Sequence, residues 1–251
     1  MQITADTLEA LPGFRDLDPE TFGAVEAISR LIDVPGETVL CRQGSSPEAL
    51  HYLLDGQVTL TQTAANGDVA VIDVLRPIRG IALATVVTGL AHQMTAQALT
   101  SSRLLEIRAA PLRALIGLRS SLATTMLQGL SLDLDTVTRH VIDLKLRTAA
   151  QRLGCYLLRL VHNASGNEAE FRLPVQKRLL AGQIGCRHEN LSRAFGLLRE
   201  VGVETHGSRV ILHDIDGLRL YAVPDDPAPE TPDAEGLLDS AQAFSDAFKL
   251  R

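Results

Sequence analysis

The chain has 251 residues, 45% of them apolar, enough for one large core or two ordinary ones, and two is the expectation. Cys41, Cys155 and Cys186 are odd in number, far apart and without CxxC or Cys/His zinc spacing, which argues against a disulfide framework or a structural metal. No basic segment leads into an apolar run and no window nears the roughly 18 apolar residues of a membrane span, so secretion and membrane insertion are not expected and the cytoplasm is. The net charge of −6 hides a division: residues 144–222 carry 12 Lys plus Arg against 7 Asp plus Glu (+5), residues 223–251 carry 2 against 7 (−5), and residues 1–143 account for the remaining −6.

Residues 1–30 read as mainly helical, with Asp18-Pro19-Glu20 as a helix start. From about 31 to 108 short β-prone runs come next, such as Thr38-Val39-Leu40, Val58-Thr59-Leu60 and Val69-Ala70-Val71-Ile72. Turn signals at Pro35-Gly36, Gln43-Gly44, Asp55-Gly56, Asn66-Gly67 and Gly80 divide them, which predicts an antiparallel barrel or jelly roll with room for a ligand inside. Residues 112–145 lose the turn residues, and Leu127, Leu130, Leu134, Val137, Val141 and Leu144 recur at a/d spacing. The first half of that stripe could be covered by the same chain's roll; the second half predicts a two-stranded coil between copies, a homodimer through residues 127–144. Helical texture resumes at Asp143-Leu-Lys-Leu-Arg147 and runs to Leu160, and a turn at Asn163-Ala-Ser-Gly166 then leads to a strand at Phe171-Arg-Leu173.

The segment Gln183 to Gly202 carries the strongest signal. Ile184 closes one helix, Gly185 supplies a turn residue that tolerates positive φ, and Leu191, Ala194, Leu197 and Leu198 form the expected buried stripe of a second helix. Arg187, His188, Glu189, Ser192 and Arg193 are left exposed near its start, where a recognition helix meets the major groove. A solvated amphipathic hairpin would look the same up to this point. Beyond Gly202 come Val203, then Glu-Thr-His-Gly-Ser-Arg209 and Val210-Ile-Leu-His213, which read as strand, glycine turn and strand: the wing of a winged helix. The basic excess of 144–222 suits double-stranded DNA. The Pro-rich, acidic segment from Val223 reads as a linker, with a short amphipathic helix possible over Leu237 to Phe248. No paired carboxylates in a motif, Gly-rich phosphate loop, metal-spaced His or activated nucleophile is found, so no enzyme is expected.

The fold class is therefore α+β: a sensor roll with N-terminal helices (1–110), a dimerisation helix (111–145), a winged helix-turn-helix (146–222) and an acidic tail (223–251). In this order the elements resemble the CRP/FNR family of bacterial transcription regulators over residues 10–222. The resemblance rests on Pro35-Gly-Glu-Thr-Val-Leu-Cys-Arg-Gln-Gly44, Tyr52-Leu-Leu-Asp-Gly-Gln-Val58, Ala96 to Ile107, and Asp143-Leu-Lys-Leu-Arg-Thr-Ala-Ala-Gln-Arg-Leu153. The last of these is similar to the branch of nitrogen-oxide regulators, DNR and NnrR. The resemblance makes the roll one of the cyclic-nucleotide-binding type and places the family's reading triplet on Glu189, Ser192 and Arg193, the Glu-x-x-Ser-Arg pattern of the FNR type. It implies a TTGAT-N4-ATCAA site, with Glu189 and Arg193 on base edges, Ser192 on outer thymines or a phosphate, and Arg187 and His188 on the backbone. It also implies RNA polymerase as a partner.

In nucleotide-binding members a Gly-Glu pair and, about a dozen residues later, Arg-Ser or Arg-Thr hold ribose and phosphate. Here Gly80-Ile81 and His92-Gln93 stand at those places, so no cyclic nucleotide is expected. Three cysteines cannot ligate a four-thiolate cluster, so no iron-sulfur cluster is expected either. The resemblance then leaves a haem-dependent response to nitric oxide, with His92 as iron ligand and His51, His140 and His162 as lesser candidates. Redox sensing at Cys41, another small molecule, or a sensor module without a ligand are the alternatives. Cys186, at the helix-turn-helix turn, reads as a packing residue.

Overall fold

A computed structural model describes residues 5–161 and 166–223. His162, most of the expected turn 163–166, the expected helix over Leu237 to Phe248 and the acidic segment beyond Val223 lie outside the described residues. The chain divides into two compact units between Asp135 and Thr136, within one long helix.

The first unit opens with α1 (Ala5–Glu9) and α2 (Pro19–Ala27). Asp18 caps α2 by accepting from the Thr21 N–H at 2.9 Å, and Pro19 fills the first helical position, where no N–H is needed. The roll comprises β1 (Ser29–Val34), β2 (Val39–Cys41), β3 (Ala49–Asp55), β4 (Val58–Thr63), β5 (Val69–Leu75), β6 (Arg79–Ile81), helix α3 (Leu83–Thr88), β7 (Thr95–Ala98) and β8 (Ser102–Arg108). These strands form two antiparallel four-stranded sheets, β1-β8-β3-β6 and β2-β7-β4-β5. Period-two alternation sorts the side chains of β3. Leu50, Tyr52 and Leu54 join a core with Phe14 from the turn between α1 and α2 and with Val25, Leu112, Leu122 and Met126 from the flanking helices, while Leu53 joins Val58, Ile81, Ala96 and Leu104 between the sheets.

Gly44, Gly56 and Gly67 adopt positive φ at the expected turns. Gly80 does not: it is a residue of β6, and a Cβ there would come within 3.3 Å of the Tyr52 ring, so close approach rather than a turn explains the glycine.

The single helix expected over 111–145 is instead α4 (Ala109–Leu118) and α5 (Ser120–Leu146), separated by Arg119 in an extended conformation (φ −124°, ψ 107°). α4 buries Ala109 and Leu112 against the roll, and Arg119 at the break pairs with Glu20. Along α5, Leu122 and Met126 are buried and Leu130 packs partly against the helical core, whereas Leu127, Leu134 and Val137 are 58–67% exposed and Val141 and Leu144 over 40%.

The second unit holds α6 (Ala149–Leu160), β9 (Ala169–Arg172), α7 (Lys177–Gln183), α8 (His188–Leu198), a 3₁₀ turn (Arg199–Val201), β10 (Val203–His206), β11 (Arg209–Leu212) and α9 (Ile215–Ala222). Thr148 and Gln151 close a capping box at the start of α6. β9 joins the β10–β11 hairpin in a three-stranded sheet, with Gly207 at φ 62° in the loop between His206 and Arg209.

Candidate functional site

α7, the turn at Ile184 to Arg187, and α8 form the helix-turn-helix. Gly185 has φ 68°, so backbone freedom favours glycine there, and a Cβ on it would make the end of the Leu144 side chain shift. α8 buries Leu191, Ala194, Phe195 and Leu198, an i, i+3, i+4, i+7 face. The expected stripe is corrected at one place: Leu197 is 49% exposed and Phe195, at 6%, takes its place, because 191 and 194 extend one turn to 195 and 198. Lys177 lies over the Phe195 ring at 5.1 Å.

Anchored in this way, α8 holds Glu189, Ser192 and Arg193 outward on its first two turns, with Arg187 as N-cap and His188 at the first helical position, all five exposed. None of the five has a side-chain hydrogen bond or ion pair within the described residues. The free N–H groups at the helix start and the positive end of its dipole favour an anion there.

A residue that the sequence reading missed sets the angle of α8. Arg152 of α6 donates from Nε to the Ile184 carbonyl (2.6 Å), from Nη2 to that of Gly185 (3.1 Å) and from Nη1 to that of Arg147 (2.6 Å). One guanidinium fork thus satisfies the carbonyls at the end of α7 and locks the turn. Burial draws its pKa below the usual arginine value. Nothing in the sequence joins Arg152 to a turn 32 residues away.

On the wing, the two oxygens of Glu204 meet His206 Nε2 at 2.7 Å and His213 Nε2 at 3.0 Å. His213 first and His206 second hold the Glu204 carboxyl below the ordinary range. An open cleft of about 350 Å³ beside them is lined by Arg199, Gly202, Thr205 and these residues. Arg209 pairs with Glu170 across to β9.

Within the roll, Ile81, which stands where nucleotide binders carry Glu, is 1% exposed in the core between the sheets. His92 is also buried, at 4%, rather than a surface turn residue. Its Nδ1 lies 2.9 Å from Thr85 Oγ1, and that hydroxyl lies 2.9 Å from the Ala82 carbonyl. With the hydroxyl proton on the Ala82 carbonyl, the Thr85 oxygen accepts from His92 Nδ1–H and the lone pair falls on Nε2; with that proton on Nδ1, the other tautomer fits the same distances. Burial, and then the neighbouring His51, lower the His92 pKa and favour the neutral ring.

His51 Nε2 meets Glu106 Oε2 at 3.3 Å, and Arg30 Nε donates to Glu106 Oε1 at 2.6 Å. The His51 contact, followed by Arg30, brings the Glu106 pKa down to about 2. The sequence offered Arg30 and Glu106 no distinction, because their pairing depends on the register of β1, β3 and β8. His140 lies half-buried on α5. Burial raises the Cys41 and Cys186 thiols, which disfavours the reactive thiolate and weakens the redox alternative. No group of three His, Cys, Asp or Glu among the described residues is placed to hold a metal ion, and no described helix is long and apolar enough to cross a membrane.

Residues 31–117 match the cyclic nucleotide-binding domain family and residues 151–221 the Crp-like helix-turn-helix domain family. The chain is 28% identical over 138 residues to the nitrogen fixation regulation protein FixK of Azorhizobium caulinodans, a match covering 53% of this chain and 56% of that protein. It thus spans about half the length of this curated relative. A candidate cyclic nucleotide binding protein from Ruegeria pomeroyi is similar in structure (25% identity, TM-score 0.60, 88% of this chain and 97% of that one covered). FixK2 of Bradyrhizobium japonicum shares the fold (17% identity, TM-score 0.64, 77% and 96% covered). The chain thus carries a domain of the cyclic nucleotide-binding family followed by one of the Crp-like helix-turn-helix family.

Proposed function

We propose that the protein is a homodimeric, sequence-specific DNA-binding regulator that reads a TTGAT-like half-site, arranged as TTGAT-N4-ATCAA. The observation that carries this reading is the exposed and unpartnered set Glu189, Ser192 and Arg193 on a helix start held by four buried residues and the Arg152 clamp. Arg193 has the geometry to donate two bonds to guanine and Glu189 to accept from cytosine N4, with Ser192 beside them; Arg187 and His188 meet phosphates. Dimerisation joins the exposed Leu134, Val137, Val141 and Leu144 of two copies of α5, which presents two recognition helices to a palindrome. RNA polymerase is the partner through which such a regulator acts, in the cytoplasm. Selection of bound duplexes from a random pool tests the reading: a two-fold symmetric TTGAT motif is expected, and a pool without enrichment contradicts it.

For the signal, we infer haem responding to nitric oxide, as in the DNR and NnrR branch, with His92 as iron ligand. What supports this is the chemistry of the donor: a buried imidazole whose lowered pKa favours the neutral ring and whose Nδ1 is engaged by Thr85, so that Nε2 is the nitrogen left to coordinate. Bound haem would supply an iron centre for the gas. The chain's own part is to hold the ring through Thr85 on α3, so that a shift at His92 is felt by that helix. The missing carboxylate at Ile81 argues against cyclic nucleotide. An anaerobic haemin titration should give a saturable Soret band at one haem per subunit that shifts with nitric oxide and is lost in His92→Ala. Absence of a saturable band would sink the haem reading and leave the DNA reading standing.

A further inference from the structure

The wing joins three titratable side chains that the reading of α8 leaves unused. Glu204 of β10 meets His206 Nε2 with one carboxylate oxygen and His213 Nε2 with the other, at 2.7 and 3.0 Å. A carboxylate only accepts, and His213 and then His206 hold this one in its ionised form, so each imidazole must present Nε2–H to it. Neither Nδ1 has a partner among the described residues. That nitrogen carries a lone pair in the neutral ring and a proton in the imidazolium, so proton uptake turns each free acceptor into a donor.

Arg199, at the end of α8, is exposed, has no partner among the described residues and lines the same open cleft of about 350 Å³ as the two imidazoles. Its charge offsets that of Glu204, so each proton taken up by a ring adds one positive charge to an otherwise neutral site. The other charged groups around the wing are engaged elsewhere or stand outside the cleft. Arg209, opposite His206 on β11 and Arg172 on β9, pairs with Glu170. Asp214 accepts from the Gly217 N–H and Asn167, and Arg219 pairs with Asp216 on α9. Glu200 of the 3₁₀ turn and His188, Glu189 and Arg193 of α8 are exposed and do not line the cleft.

We propose that this cleft is a proton-linked oxyanion site, which takes a phosphate of the duplex backbone when His206 and His213 are protonated and releases it when they are not. The proposal rests on the reading of α8 as the DNA interface. The 11 residues of α8 span about 16 Å at the helical rise, more than the major groove's width of about 12 Å. With the start of α8 at base edges, its end and the adjoining cleft come out at the backbone that borders the groove. A phosphate oxygen only accepts, so neutral rings held by Glu204 offer it lone pairs, whereas the imidazolium pair offers two donors beside the Arg199 fork. Because a phosphate carries no base identity, proton uptake strengthens the grip on every duplex by the same factor, and preference stays with Glu189 and Arg193.

The test compares the full chain with the full-length double variant His206→Gln, His213→Gln, whose amides keep a donor and do not titrate. Affinities for a TTGAT-N4-ATCAA duplex and a shuffled duplex are measured at about pH 6 and about pH 8 at one salt concentration. The parent should bind both duplexes about tenfold tighter at the lower pH, and the variant should keep at most about threefold, the share left to His188. An equal pH response in the two proteins overturns the proposal, as does a response confined to one duplex. A second readout needs no DNA: side-chain nitrogen shifts of His206 and His213, followed by NMR during titration with sodium sulfate, an oxyanion of constant charge over this range. Saturable shifts at the lower pH that are absent at the higher one support the site even if neither duplex binds, an outcome that would sink the DNA reading separately. Sulfate shifts of equal size at both pH values, or none at the lower one, overturn the site.

Discussion

Inside the roll, His51, Glu106, Thr85 and His92 are buried or half-buried and bonded to one another, to Arg30 or to backbone. On the first turns of α8, Arg187, His188, Glu189, Ser192 and Arg193 are exposed, with no bond among the described residues. A network bonded largely within itself contributes most of its free energy to its own unit, whereas an exposed, unsatisfied set on a rigid helix keeps its hydrogen-bonding capacity for a partner. The contrast shows why the proposed DNA interface can be read more directly than the proposed signal site.

The sharpest way to break the comparison is to remove what keeps α8 rigid. Leu191→Ala deletes a side chain 1% exposed and should cost about 2–5 kcal/mol of stability in the second unit, read by denaturant unfolding. A loss under 1 kcal/mol would mean that α8 is not anchored as described. Arg152→Lys is gentler, because an ammonium cannot replace a fork that serves three carbonyls. It should weaken target and random DNA together, with a stability loss of about 1.5–3 kcal/mol; selective loss on target alone would make Arg152 a reading residue instead.

Arg193→Ala should leave stability within about 0.5 kcal/mol and cost about 1–3 kcal/mol of target binding, while random-duplex affinity changes less. Equal losses on both duplexes would reassign Arg193 to phosphate. Within the second unit, Thr148→Ala opens the α6 capping box and should cost about 1 kcal/mol, seen as a lowered unfolding midpoint with DNA preference intact.

The roll makes its own prediction through pH. The folded pKa of Glu106, about 2, lies below its ordinary value, so its pairing stabilises the fold fully above about pH 4.5 and is lost as pH falls toward 2. Glu106→Gln should therefore be less stable than the parent at neutral pH, with the difference closing as acid protonates the parent. A difference independent of pH would show that packing, and not the contacts of the carboxylate with His51 and Arg30, carries the effect.

Local signals made the second unit legible. Gly185 and Gly202 mark backbone positions of positive φ, and the apolar period of α8 fixes which face is outside. Even so, the phase slipped at Leu197 against Phe195, since both residue types satisfy a helical stripe and only packing decides between them. The break between α4 and α5 escaped because an arginine carries no breaker signal; Arg119 is extended for tertiary reasons, beside Glu20. In the roll, Arg30, His51 and Glu106 lie on three strands and meet only through register, so no window of sequence contains the site. The burial of His92 depends likewise on α3 folding over it. What was hidden in each case is long-range geometry, and the roll is made mostly of that.

The most direct test of the central claim is the ratio of affinities for a TTGAT-N4-ATCAA duplex and a shuffled duplex of equal length, by fluorescence anisotropy at physiological salt. A ratio of about 10³ or more, collapsing toward unity when Glu189→Gln and Arg193→Ala are combined, is the expected result. A ratio near unity for the unaltered protein, or one unaffected by the double substitution, would contradict the claim that the exposed face of α8 reads sequence.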